Sequence, residues 1–134
     1  LIEARKRGEL LKHSALSEAE LRDNSPALVK LIVETCLEVK ASDPTVLKVN
    51  ELSDIADYFI VVSGRSDRQV QGIANKVSEE LAKHGIKPGS VEGYDRAHWV
   101  LMDFGDILLH IFYEPVREHY DIEGLWARAE RVTF

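Results

Sequence analysis

The segment from His98 to Tyr113, HWVLMDFGDILLHIFY, decides the fold of this 134-residue chain. Gly105-Asp106 separates two apolar stretches, and a glycine that opens a two-residue loop suits the primed turns that match strand twist. We therefore predict a tight antiparallel hairpin with Phe104 opposite Ile107. The same register pairs Asp103 with Leu108, Met102 with Leu109, Leu101 with His110, Val100 with Ile111 and Trp99 with Phe112.

Side chains alternate between the two faces of such a hairpin. One face is wholly apolar and is predicted to lie on the core: Val100, Met102, Phe104, Ile107, Leu109 and Ile111. The other face mixes large apolar groups with one carboxylate and one imidazole, and we call it the hairpin face: Trp99, Leu101, Asp103, Leu108, His110 and Phe112. A function, if it resides in the hairpin, is expected on this second face.

Two amphipathic helices are predicted before the hairpin. Ser25-Pro26 is typical of a helix start, and an apolar stripe at spacings of three and four continues to about Ala41. Ser66 and Gln69 form a capping box that begins a second helix, which ends at Gly85. We interpret SGRSDR, which includes Ser66, as a strand-to-helix turn rather than a phosphate loop, because it lacks both common glycine-rich patterns.

The remaining segments complete an α/β domain. Asp57 to Gly64 is predicted as a central strand covered on both faces, with short strands at Val46 to Val49 and Ser90 to Gly93. After Pro115, a short helix is predicted with one packed side: Ile122, Leu125, Trp126 and Ala129. The fold class is therefore a single small domain, residues 25–134, with a mixed β-sheet flanked by helices. Residues 1–24 are expected to be an N-terminal extension, partly disordered.

Composition restricts the function classes. The net charge of −6 argues against a broad nucleic-acid surface and favours a basic protein partner. No stretch is long and apolar enough for a membrane span, and the single cysteine, Cys36, is expected in the core. We therefore expect a cytoplasmic protein without a metal or cofactor.

The hairpin face offers two alternatives. Asp103 and His110 are diagonal neighbours, but no nucleophile accompanies them and His98 is predicted on the opposite face, so neither catalysis nor a metal site is favoured. We expect a neighbouring carboxylate to satisfy His110. Trp99 suits the centre of a protein interface, yet a terminal segment of the same chain would also cover it. Periodicity leaves these two interpretations of Trp99 open.

Two motifs resemble the Iojap family, also called ribosomal silencing factors: DYFIVVSGRSDRQVQGIA at 57–74 and VEGYDRAHWVLMDFGDILLHIFYEPVREHYDIEGLW at 91–126. The resemblance covers about Pro26 to Trp126. It implies a nucleotidyltransferase-like α/β fold that binds the large ribosomal subunit through ribosomal protein uL14. It further implies that the bound protein sterically prevents the small subunit from joining and so represses translation.

The resemblance also implies site residues outside the hairpin, at Glu92-Gly93 and in the segment after Pro115. Together with the hairpin face, the predicted uL14-binding set is Trp99, Leu101, Asp103, Leu108, His110, Phe112, Glu92, Arg117, Tyr120, Glu123 and Trp126, with Leu125 beside it. A homodimer of the free protein is a secondary expectation, because an exposed apolar face favours self-association.

The alternative function is that of a nucleotidyltransferase-like enzyme. Such enzymes carry a Gly-Ser turn and paired carboxylates that hold magnesium. Here Arg65 separates Gly64 from Ser66, and the hairpin face holds a single carboxylate, Asp103. The sequence therefore favours a binding protein.

Overall fold

Six strands form one mixed sheet in the computed structural model, which describes residues 17–133 apart from the side chains of Glu18 and Arg22. The strands are β1 (Ser42–Lys48), β2 (Tyr58–Gly64), β3 (Ser90–Glu92), β4 (Trp99–Asp103), β5 (Ile107–Tyr113) and β6 (Glu130–Val132). Their order is β3-β4-β5-β2-β1-β6, in which β2 and β5 are parallel and the other neighbours antiparallel. The predicted α/β class with a mixed sheet is confirmed.

The predicted hairpin is present with the predicted register. Trp99 lies opposite Phe112 and Asp103 opposite Leu108. The Phe104 amide donates to the Ile107 carbonyl at 2.9 Å, and Gly105 has φ +86°, the left-handed region that glycine enters without strain. Turn chemistry therefore fixed the register, as the two-residue loop predicted.

Five helices accompany the sheet in the described part of the chain: α1 (Glu18–Arg22), α2 (Ser25–Glu38), α3 (Asp67–Ala82), α4 (Glu114–Tyr120) and α5 (Ile122–Leu125). The apolar stripes of α2 and α3 pack with the wholly apolar hairpin face into the main core. Ser66 caps α3 as predicted, because its Oγ accepts the Gln69 amide at 3.1 Å. Cys36 is buried, which raises the pKa of its thiol to about 12.

The N-terminal boundary differs from the prediction. Asn24, not Ser25, caps α2 through its side chain, which accepts the Ala27 amide at 3.2 Å. The Leu21 side chain of α1 is fully buried in the main core. The packed unit therefore includes α1, which precedes Ser25, and the rest of the predicted extension, residues 1–16, lies outside the described residues.

Strand β1 and the C-terminal segment also differ from the predictions. Strand β1 begins at Ser42, before the predicted start at Val46, and runs through Asp43-Pro44, where a register shift accommodates the proline. The chain from Glu114 onward forms two short helices and then β6, a strand that was not predicted from the sequence. Leu125 is 78% exposed and so does not share a packed side with Ile122 and Ala129.

Two glycines of opposite character provide a test of this fold. Gly93 has φ +80°, and a Cβ there would collide with the Trp99 carbonyl oxygen, whereas Gly72 lies within α3 with open space around it. We expect Gly93→Ala to lower the free energy of unfolding by about 2 kcal/mol or more. Gly72→Ala should raise it by about 0.5 to 1 kcal/mol. Urea denaturation of both variants checks this, and equal effects would contradict the described backbone at Gly93.

Candidate functional site

The C-terminal segment, residues 114–126, covers half of the hairpin face. Helices α4 and α5 follow β5 directly, and Asp121, at φ +45°, turns the chain between them. Ile122 and Trp126 of this segment pack onto the sheet. Three predicted partner-binding side chains consequently lie in the interior, with relative exposures of 8% for Leu108, 3% for His110 and 0% for Phe112. In this structure they are core residues and offer no surface to a partner.

The other half of the hairpin face stays accessible. Trp99, Leu101 and Asp103 of β4 are partly exposed. Glu92 of β3 is exposed and pairs with Leu101, so the two side chains point to the same face of the sheet. We call Glu92, Trp99, Leu101 and Asp103 the open half. It combines aromatic and aliphatic surface with two carboxylates, a chemistry that suits a basic protein partner.

Trp99 lies at the border between the covered and open halves. Its ring is stacked on Phe112 with 4.9 Å between centroids and lies 4.9 Å from the ring of Tyr120, which is 51% exposed. Its indole Nε1 donates to His110 Nδ1 at 3.1 Å. The chain therefore covers Trp99 in part, as one interpretation predicted, and the interface interpretation stays a prediction for the fraction of the side chain that remains exposed.

His110 is held as a neutral imidazole. Its Nδ1 accepts from Trp99, so the proton of the neutral ring lies on Nε2, which is buried without a hydrogen-bond partner among the described residues. The Phe59 ring lies 5.0 Å away, and burial lowers the His110 pKa to about 4. The expectation that a carboxylate satisfies His110 is wrong: the Asp103 carboxylate accepts the Gly105 amide at 2.8 Å instead.

Arg117 and Glu123 fasten the C-terminal segment to the sheet. Arg117 Nε and Nη2 each donate to the Glu123 carboxylate at 2.9 Å. The same guanidinium donates to Ser63 Oγ at 2.9 Å and Thr45 Oγ1 at 3.1 Å. The hydrogen bonds from Arg117 lower the pKa of Glu123. These two predicted partner-binding residues thus bind each other, and they hold α4 and α5 over β2 and β1.

Several residues of this site were missed in the sequence. Phe59 contacts both His110 and Trp126, with 5.0 Å between ring centroids in each pair. Val61, which lies on β2 like Phe59, packs against Ile122. Because β2 is apolar on both faces, its sequence shows no alternation that would tell which side chains lie on which face. The parallel pairing of Val61 with His110 is also a long-range contact, which local sequence does not reveal. The half-buried Trp126 completes this cluster beside Phe59.

In the part of the chain that the structure describes, no group of three or more histidine, cysteine or acidic side chains is arranged to hold a metal ion. His98 lies beside the Tyr113 ring, with 5.9 Å between centroids.

Within residues 17–133, no helix has the length and apolar character needed to cross a membrane.

Comparisons with known proteins agree on one family. A family model described as "Ribosomal silencing factor during starvation" matches residues 22–134. The ribosomal silencing factor of Bacillus subtilis is 37% identical over 106 residues, which are 79% of this chain and 90% of that protein. A mitochondrial Iojap-related protein of Arabidopsis thaliana is 32% identical over 83% of this chain and 63% of its own length.

Solved structures show the same fold. A crystal structure from Bacillus halodurans superposes with a TM-score of 0.73 at 33% identity and covers 83% of this chain and 100% of that one. A crystal structure from Chromobacterium violaceum gives a TM-score of 0.72 at 35% identity and covers 79% and 88%.

The burial of His110 predicts that the free energy of unfolding falls at acidic pH. An unfolded chain protonates this imidazole near pH 6.5, whereas the folded chain resists until about pH 4, so the unfolded state binds more protons in between. Stability is therefore lost as the pH falls through 6.5. Between pH 7 and 5 the loss should reach about 2 kcal/mol, from 1.36 kcal/mol per pKa unit.

His110→Asn is the matched variant, since its amide oxygen keeps an acceptor for Trp99. Urea denaturation of both proteins at pH 7 and pH 5 measures the effect, with the other histidines common to both. Glu123 contributes only at lower pH, because its pKa is lowered from 4.5. An equal pH dependence in the two proteins would contradict the neutral, buried imidazole.

Breaking the Arg117 pair should loosen the C-terminal segment. Arg117→Met leaves a largely buried Glu123 carboxylate without its cation, and we expect a loss of about 2 kcal/mol or more in the free energy of unfolding. The double variant Arg117→Met with Glu123→Leu should recover most of that loss, because no unpaired charge remains. A double-mutant cycle by chemical denaturation decides this, and additive losses would contradict the coupling.

Proposed function

The chain belongs to the ribosomal silencing factor family, and from this premise we propose that it binds the large ribosomal subunit through ribosomal protein uL14 and represses translation. The open half of the hairpin face is the proposed contact surface. The bound domain then prevents the small subunit from joining.

The charge and chemistry of the open half support this assignment. Glu92 and Asp103 flank the partly exposed Trp99 and Leu101, and the whole chain has a net charge of −6. Ribosomal proteins are basic as a class, and opposite charges accelerate association and set its orientation. Aromatic surface beside such charges is typical of the residues that contribute most to an interface.

Preventing the small subunit from joining is a steric effect and requires no catalytic step. A folded domain of this length has a radius of gyration of about 14 Å. If β3 and β4 contact uL14, helices α2 and α3 on the other side of the sheet project away from it. A body of that size on an intersubunit surface separates the two subunits by more than any direct contact tolerates. We therefore infer a binding role without catalysis or a cofactor.

The site of action and the free state follow from the same proposal. Ribosome binding places the protein in the cytoplasm in a bacterial setting. The homodimer stays a prediction. The C-terminal segment buries Leu108, His110 and Phe112, so the apolar surface available for self-association is smaller than the whole hairpin face.

Removing the two carboxylates of the open half tests the docking surface. The double variant Glu92→Gln, Asp103→Asn should bind purified 50S subunits about fivefold to tenfold more weakly, since it removes two charges that face a basic partner. The amide oxygen that Asp103→Asn introduces can still accept the Gly105 N–H, so the turn is retained. Co-sedimentation at increasing protein concentration, with melting temperatures recorded, measures the effect.

The matched control is Glu51→Gln, Asp54→Asn, which removes two exposed carboxylates from the segment between β1 and β2. It should bind 50S subunits like the wild type, and none of the proteins should bind 30S subunits. Equal weakening in both double variants would reduce the effect to net charge and reject the open half as the contact. A pull-down with isolated uL14 then separates that protein from the remainder of the subunit.

A further inference from the structure

A cavity of about 430 Å³ opens between the loop after β3 and helix α4. The side chains that shape it are Arg96, His98, Trp99, Val116, His119 and Tyr120. Trp99 is common to this cavity and the open half of the hairpin face, but the other five side chains lie outside that surface. The cavity therefore adjoins the open half and shares Trp99 with it.

The lining of this cavity contrasts with the charge of the chain. Three of its side chains carry basic nitrogens, namely Arg96, His98 and His119, and none of its lining residues is an acid. On the other side of α4 a neighbouring cavity is lined by acids, including Glu114 and Glu118. Helix α4 thus separates an acidic cavity from a basic, aromatic one within a protein of net charge −6.

The loop that carries Arg96 and His98 is held in a fixed conformation. Gln71 of α3 donates to the Tyr94 carbonyl at 3.0 Å, and the Tyr94 hydroxyl donates to Asn75 Oδ1 at 2.9 Å. The buried Ala97 has φ +57°, a strained value for alanine. These contacts stabilise an exposed loop in an unfavourable backbone conformation, and its two basic side chains line one cavity.

Aromatic and basic groups together define a class of ligand. Tyr120 is half exposed, packs against Trp99 and supplies ring surface on which a planar base can stack. An arginine and two imidazoles supply N–H donors for an anion, and arginine in particular binds phosphate through paired hydrogen bonds. A volume near 430 Å³ lies within the range of small-ligand sites.

We propose that this cavity binds a nucleotide, with its base against Tyr120, beside Trp99, and its phosphate at Arg96, His98 and His119. The nucleotide is either free or an unpaired unit of a single-stranded RNA. This proposal does not rest on the proposed function, although Trp99 belongs to both surfaces. One nucleotide needs one small basic cavity and not the broad basic surface that this acidic chain lacks.

Fluorescence and calorimetry on the full chain test the site. Trp126→Phe leaves Trp99 as the single tryptophan, and its emission is followed during titration with the four nucleoside 5′-monophosphates, with adenosine and with a single-stranded oligoadenylate. Isothermal calorimetry on the unmodified chain measures the same affinities. We expect saturable binding of a monophosphate and weaker binding of adenosine. Saturation by the oligoadenylate alone would assign the site to RNA rather than to a free nucleotide.

Arg96→Gln should weaken nucleotide binding about tenfold and leave adenosine unchanged, because it removes a phosphate contact. Arg68→Gln removes an exposed arginine of α3 and should have no effect. No saturation by any probe up to about 5 mM, or equal weakening in both variants, would overturn the proposal. Co-sedimentation of Arg96→Gln with 50S subunits is recorded separately, so a failure of either proposal is recognised without reference to the other.

Discussion

The parallel pairing of β2 with β5 is the constraint on which the rest of the structure depends. Every residue of β2 is buried, as are six of the seven residues of β5. Two central strands of this kind require cover on both faces of the sheet. Helices α2 and α3 supply it on one face. On the other face, the described part of the chain supplies the short segment after β5, which covers β2 and β5 but leaves β4 and β3 partly open. The open half of the hairpin face is thus a consequence of unequal cover.

That unequal cover explains why an ion pair holds the C-terminal segment. Helices of seven and four residues are too short to be stable by themselves. Apolar contacts of Ile122 and Trp126 fix one side of the segment. Arg117 fixes the other through Glu123, Ser63 and Thr45, which come from three different elements. A guanidinium suits this position because its planar fork of donors reaches several acceptors at once.

Local signals predicted the fold well, and long-range pairing accounts for most of what they missed. The Gly105 turn set the hairpin register, and Ser66 marked the start of α3, because both depend on neighbours in sequence. Strand β6 has three residues and no alternation, so only its pairing with β1 defines it. Of the site, sequence identified the hairpin face but not its cover. Burial of Phe112 depends on Ile122 and Trp126, which pack in the same cluster, and no periodicity in β5 reveals that contact.

The Trp99–His110 hydrogen bond joins the interior to the accessible surface. A buried polar pair contributes little net stability over an apolar one, but it fixes orientation, since the hydrogen bond between Trp99 Nε1 and His110 Nδ1 forms in one geometry. The bond requires a neutral imidazole with a free Nδ1 lone pair, and burial beside Phe59 supplies that state. Because the same indole borders both the open half and the basic cavity, its orientation sets the shape of two surfaces. The polar pair in this otherwise aromatic cluster is therefore understood as a device for positioning Trp99.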